Sequence, residues 1–236
     1  MFRAWTALLI VPLLAVILAG CIRDSDPSEE EPTVEEVLRG AREQWDSTES
    51  AHFVLEVDGD AYLDSAESIR LRSADGDILR PESVSASARI SVALLTLDMS
   101  LIAVGGEMFM TNFVSGRWER APDDFSYDPS ILFSDTSGIG PVLEALENST
   151  LDGSERVGSV ATHMVSGTVD ESDVSDITAG AIEGEDIRVT VWIGVDTAHI
   201  YRVTLAEPEG VRDEPATWTL DLNDHGAPVT IEPPPV

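Results

Sequence analysis

The chain has no lysine. All 14 of its basic residues are arginine, against 44 acidic residues, and the net charge is −30. Nucleic-acid binding needs a basic footprint, and adhesion to anionic head groups needs basic clusters beside the membrane. The composition argues against both, and no nucleic-acid partner is expected. Cysteine occurs once, at Cys21, so no disulfide staples the fold and no second thiol offers a redox or metal pair. The four histidines, His52, His163, His199 and His225, never fall into an H-x-x-x-H or H-E-x-x-H spacing, so there is no zinc helix motif. There is no G-x-S-x-G elbow and no P-loop. Asp58, Asp60 and Asp64 crowd together in "DGDAYLD", but the sixth-position glycine and the terminal acid of a calcium loop are missing. An acidic turn is the plainer reading. No catalytic residue, metal or cofactor is expected.

Long apolar runs are also scarce, with one exception. Ala4 to Gly20 carries no charge and follows Arg3. It is shorter than the roughly 20 residues of a spanning helix and has the layout of a secretory signal. Leu18-Ala19-Gly20-Cys21 fits the bacterial lipobox, in which the cysteine thiol accepts a diacylglyceryl group. One acyl chain holds a protein to a membrane only marginally. Two or three, at roughly 0.8 kcal/mol per buried methylene, hold it firmly. Residues 1–20 therefore read as a lipoprotein signal peptide, and Cys21 as the lipidation site on the extracytoplasmic face of the cell membrane. Residues 21–32, with "RDSDPSEEEP", read as an acidic flexible tether.

The folded part opens at Thr33, an N-cap with Glu36 three residues on, which is a capping box. Val34, Val37, Leu38, Ala41 and Trp45 follow at helical spacing, predicting a helix over 34–47. Alternation then predicts strands at 51–57, 69–72, 84–92 and 97–104, with Gly105-Gly106 turning the last into "EMFMTNF". Asp128-Pro129 starts a short helix, 139–146 forms a second and 170–177 a third. Further strands are expected at 151–157, 161–169, 187–193, 199–206 and 217–222. About ten strands with short links make a mostly antiparallel sheet. Helices gathered at the start and in one central block make an α+β fold with helices on one face.

The hairpin around Gly105-Gly106 is apolar on both faces. Leu97, Met99, Leu101 and Ala103 share one side of their strand, Ile102 and Val104 the other, and Met108 and Met110 alternate with Phe109 and Phe113. Such strands are normally covered twice, and three or four short helices cannot cover both faces of a large sheet. Either this is ordinary core, or one face is concave and filled by something else. Methionine, which adapts to irregular apolar partners, suits the second use.

Several stretches in combination resemble the LppX/LprAFG lipoproteins of actinobacteria: "LAGC" (18–21), "AHFVLEVDG" (51–59), "GEMFMTNFVSGRWERAP" (106–122), "FSYDPSILFSDTSGIGPVLEAL" (125–146), "VATHMVSGTV" (160–169) and "VTVWIGVDTAHIYRVTL" (189–205). The resemblance covers roughly residues 33–223. It implies a curved half-barrel sheet with helices packed on the concave face, similar to the LolA/LolB carriers. The hollow would accept acyl chains of lipids or lipoglycans and carry them within the envelope without catalysis. Residues 224–236 are a Pro-rich tail. The residues expected to face the hollow are Phe53, Leu55, Val57, Leu97, Met99, Leu101, Met108, Met110, Val142, Leu143, Leu146, Val189, Val191 and Ile193. Arg117 and Arg120 are the nearest basic rim candidates. The rival reading is a solidly packed module that docks a transporter or another envelope protein.

Overall fold

The computed structural model describes residues 31–63, 67–112, 115–122 and 129–236. The signal segment, Cys21 and nearly all of the tether lie outside the described residues, as do Asp64, Phe113 and Asp128. Residues Pro32–Val236 form one unit with its own core.

That unit begins with α1 (Val34–Ser47), started by the reciprocal bonds that the Thr33/Glu36 spacing implies. The Glu36 amide donates to Thr33 Oγ1 at 3.3 Å, and the Thr33 amide donates to the Glu36 carboxylate at 3.0 Å. Val37, Ala41 and Trp45 form its buried stripe. The last turn leaves carbonyls without helical partners. Arg80 binds at this end: its guanidinium donates to Trp45 O (3.0 Å) and Thr48 O (2.8 Å), and also to Phe133 O (3.2 Å) of a separate 3-10 turn, and lies 4.3 Å from the centre of the Phe133 ring.

Among the described residues there are eleven strands and three α-helices. The strands are β1 (Ser50–Asp58), β2 (Ile69–Leu79), β3 (Ser83–Val92), β4 (Leu95–Val104), β5 (Glu107–Thr111), β6 (Trp118–Arg120), β7 (Glu147–Val157), β8 (Val160–Val169), β9 (Ile187–Gly194), β10 (Ile200–Ala206) and β11 (Thr217–Asn223). A 3-10 turn (Pro129–Phe133) and α2 (Ile139–Glu144) precede β7, and α3 (Glu171–Thr178) separates β8 from β9. All strands join one open antiparallel sheet in the order β6-β5-β4-β3-β2-β1-β11-β10-β9-β8-β7. Two meanders thus meet at a seam between the first strand and the last. The sheet curves around the helices, which pack against one another over its concave face. The α+β half-barrel expected from the sequence is the fold observed.

One strand is longer than the sequence pattern predicts. The sequence places a loop at Ser73–Ser83, but β2 continues through Ala74-Asp75-Gly76-Asp77 to Leu79. The glycine there is no turn. A Cβ on Gly76 would sit 2.1 Å from Ser85 O, so its absence lets β2 and β3 close up. A register shift between Leu71 and Ser73 also breaks the alternation by which strands are recognised. By contrast, Gly105 (φ +60°) and Gly106 (φ +74°) form the primed turn expected between β4 and β5.

The tail beyond β11 is docked at its start. Ser50 Oγ donates to Ala227 O (2.7 Å), and the Gly226 amide donates to Ser50 O (2.8 Å). The His225 ring stacks on His199 at 4.3 Å between centroids, and its Nε2 donates to Ile200 O at 2.9 Å. Burial pushes both rings below the usual histidine range, and for His225 the neighbouring His199 adds to the effect. The folded state therefore takes up protons less readily than the unfolded chain, in which histidine titrates near 6.5. The pair's contribution to stability is complete above about pH 6.5 and is lost as pH falls below it. Thermal melts between about pH 7.5 and 5 should show Tm falling more steeply in the parent than in His225→Phe, which keeps a stacked ring but cannot be protonated. Equal slopes would show that the stack carries no proton linkage.

Candidate functional site

A cavity of about 550 Å³ lies between the concave face and the helices. Strand register builds its floor. Met99, Ala88, Ala74, Leu55, Leu220, Val203 and Val191 are successive cross-strand partners on β4, β3, β2, β1, β11, β10 and β9, and all seven line the cavity. Leu101, Ala86 and Phe53 flank this row on one side, and Leu71, Trp218, Leu205 and Val189 on the other. The hollow exists because β2 and β3 present alanine, at 74, 86 and 88, where the neighbouring strands present larger side chains. The roof is Leu132 of the 3-10 turn, Ile139, Val142 and Leu143 of α2, and the stretch Ser175–Ala179 at the end of α3.

Local sequence explains the roof. Helix α2 crosses close to α1 at Gly140, where a Cβ would come 2.7 Å from the Arg42 guanidinium. Arg42 pairs there with Asp46 (2.8 Å) and Glu144 (3.5 Å). Helix α3 is capped by Asp170 with Asp173 and stops at Ala179, whose φ is +54°. Leu63, 37% exposed, and the exposed Asp176 and Ala179 also line the cavity, so its mouth lies between the β1–β2 connection and the end of α3.

Eight of the residues expected to face the hollow come together on this wall: Phe53, Leu55, Met99, Leu101, Val142, Leu143, Val189 and Val191. Six lie elsewhere. Val57 is buried opposite Trp218, and Ile193 is buried opposite Ile200. Leu97 is half-buried opposite Ile90. Met108 and Met110 face Ala103 and Leu101 across β4–β5, and Leu146 packs under Gly167. The sequence reading left out the three alanines, Leu71 of β2, the β10 and β11 residues and the end of α3. Arg120 of β6 pairs with Glu107 of β5, and neither it nor Arg117 belongs to the wall. Among the described lining residues the polar ones are Ser175, Asp176 and Thr178, with no histidine, cysteine or arginine. Asp60, from the crowded acidic turn, is engaged by Arg70 at 2.7 Å.

An open antiparallel sheet wrapped over helices, with an apolar hollow between the two, defines an α+β half-barrel. The chain belongs to the LppX_LprAFG lipoprotein family, whose model matches residues 33–231. It is similar to the lipoarabinomannan carrier protein LprG of Mycobacteroides abscessus, 24% identical over 98% of this chain and 98% of the relative. It is also similar to the putative diacylated glycolipid transporter LprF of Mycobacterium tuberculosis, 25% identical over 96% of this chain and 90% of the relative. Among solved structures, LprF from Mycobacterium bovis superposes with a TM-score of 0.67 at 22% identity, over 85% of this chain and 96% of that one. Mycobacterium tuberculosis LppX gives 0.60 at 18% identity, over 85% and 100%. These likenesses confirm the fold.

Proposed function

We propose that this protein is a non-enzymatic carrier that takes acyl chains of lipids or lipoglycans into the cavity and moves them within the cell envelope. Cys21 bears the lipid anchor on the extracytoplasmic face, residues 21–32 are the tether, and residues 33–223 are the carrying domain with the 224–236 tail behind it. The observation that carries the reading is the unfilled apolar hollow of about 550 Å³, reached through a mouth. Apolar burial, at roughly 25 cal/mol per Å², supplies the affinity. The named activities of the LprG and LprF relatives point the same way.

Cavity size limits the cargo. A 150 Å³ apolar cavity is known to hold benzene, about 25 Å³ per carbon. On that scale 550 Å³ is room for about 22 carbons, the size of one long acyl chain. Organic extracts of the domain purified without its anchor should therefore yield, by mass spectrometry, about one acyl lipid per protein. The domain should also take up a fluorescent fatty-acyl probe. Clean protein that ignores the probe would overturn the carrier reading in favour of a module that docks a transporter or other envelope protein.

A further inference from the structure

Among the described residues five large apolar side chains are exposed: Leu63, Leu94, Leu95, Val195 and Val236. Three of them gather at one end of the sheet. Leu94, 101% exposed, and Leu95, 65% exposed, form the tip of the β3–β4 hairpin. Leu63, at the cavity mouth, donates its amide to Ile69 O (2.8 Å) at the start of β2. Ile69 pairs with Val92, and Val92 with Leu95. The concave face thus stays apolar from the wall residue Leu71, through the Ile69–Val92–Leu95 row, out to Leu94.

Turn chemistry does not call for these leucines. A two-residue hairpin turn favours Asn-Gly or Gly-Gly, yet this one is Ala93-Leu94, with Ala93 at φ +51°. No charge falls between Arg89 and Asp98 in a chain of net charge −30. That pair closes the base of the tip with a 3.0 Å ion pair on the convex side. We infer that Leu63, Leu94 and Leu95 form a rim that dips into the apolar layer of a lipid bilayer, so that cargo passes between bilayer and cavity without crossing water.

A bilayer fits this shape better than a protein groove does, because the tip protrudes and is continuous with an apolar path into the cavity. The tether permits the approach. The twelve residues from Cys21 to Thr33 reach at most roughly 40 Å, about the length of the eleven-residue strand β2. Basic attraction is weak at this end: Arg70 is held by Asp60, Arg89 by Asp98, Arg72 is turned onto Ser91 and the Gly59 carbonyl, and the chain carries a net charge of −30. Rim binding should therefore favour neutral vesicles, and on anionic ones it should strengthen as salt screens the repulsion.

The purpose of the rim rests on the carrier reading, but its contact with lipid can be measured separately. Residues 32–236, which contain the whole described core, lack Cys21, so Leu94→Cys supplies a single thiol for an environment-sensitive fluorophore. On phosphatidylcholine vesicles the emission should shift to the blue and be quenched by brominated acyl chains. Leu94→Asp with Leu95→Asp should weaken vesicle binding by roughly tenfold or more. Val195→Asp, in the β9–β10 turn at the other end of the sheet, should leave it unchanged. A parent domain that ignores vesicles, or a double variant that binds them like the parent, overturns the rim. Uptake of a monomeric fatty-acyl probe, measured on the same proteins, tests the carrier reading: its absence in the parent strikes that reading, while the vesicle data decide the rim.

Discussion

Ala88→Trp is expected to reduce recovered acyl lipid to background and to weaken fatty-acyl probe binding by roughly a hundredfold or more, with the domain still folded. Ala88 sits in mid-floor, paired with Ala74 on one side and Met99 on the other. An indole at this point projects into the space the chain would occupy. Enlarging a packed core residue ordinarily costs about 1–3 kcal/mol through strain. That penalty falls away where the added atoms enter a void, and the buried ring adds apolar contact. Ala51 is the matched control, a fully buried alanine in solid core on β1. Ala51→Leu should lower Tm, while Ala88→Trp leaves it level or raises it. If both variants lose stability alike in thermal melts of delipidated protein, the hollow is closed by the protein's own side chains in solution and the carrier reading falls with it.

The largest effect on stability is expected at Glu207. Its side chain is fully shielded from solvent. It accepts from the Glu183 amide (2.8 Å) and the Ala216 amide (2.7 Å), and its carboxylate lies 2.9 Å from Arg212 Nη2. That last contact is an ion pair without hydrogen-bond alignment. Arg212 also meets Glu183 at 3.3 Å and donates to Asp60 O, so one carboxylate ties the β10–β11 connection to the residues beside the cavity mouth. Removing one partner of a buried pair costs about 3–5 kcal/mol, because the other is left buried and uncompensated. Glu207→Ala should therefore lower Tm by roughly 6–20 °C for a domain of this size. Glu207→Gln keeps an acceptor and should lose less. Glu207→Leu combined with Arg212→Met should recover much of the loss, since the paired apolar replacement leaves no orphaned charge. A Tm for Glu207→Ala within a degree or two of the parent would show that the cluster is solvated.

The fold was legible wherever one rule governed a segment. The Thr33/Glu36 capping box placed α1, and period-two alternation placed β1. The doubly apolar β4 pointed to a face needing cover, and eight residues selected for the hollow lie on its wall. The rest was hidden for physical reasons. Ala74, Ala86 and Ala88 shape the cavity by what they lack, and an alanine among the serines of β3 or the charges of β2 carries no signal of burial. Gly76 has the look of a turn but serves a close strand approach. Leu220 and Val203 join the floor only because β11 returns beside β1, a pairing no local pattern announces. Val57 and Ile193 alternate in phase with true wall residues, yet Val57 is itself covered although its partner Trp218 lines the hollow, and Ile193 lies past the wall residue Val191.

The seam between β1 and β11 has a consequence for how the protein is made. Hairpin by hairpin, each meander assembles from neighbours in the chain, but the join waits for residues 217–223, near the very end. A chain emerging from its N-terminus presents β1 with an unsatisfied backbone edge until the last strand arrives. Such an edge invites pairing with other chains, and long-range closure is the slow part of folding. Phe53 and Leu55, the greasy heart of the pocket, sit on that waiting strand. The cavity is therefore complete only when β11 closes on β1, after every other strand has been made.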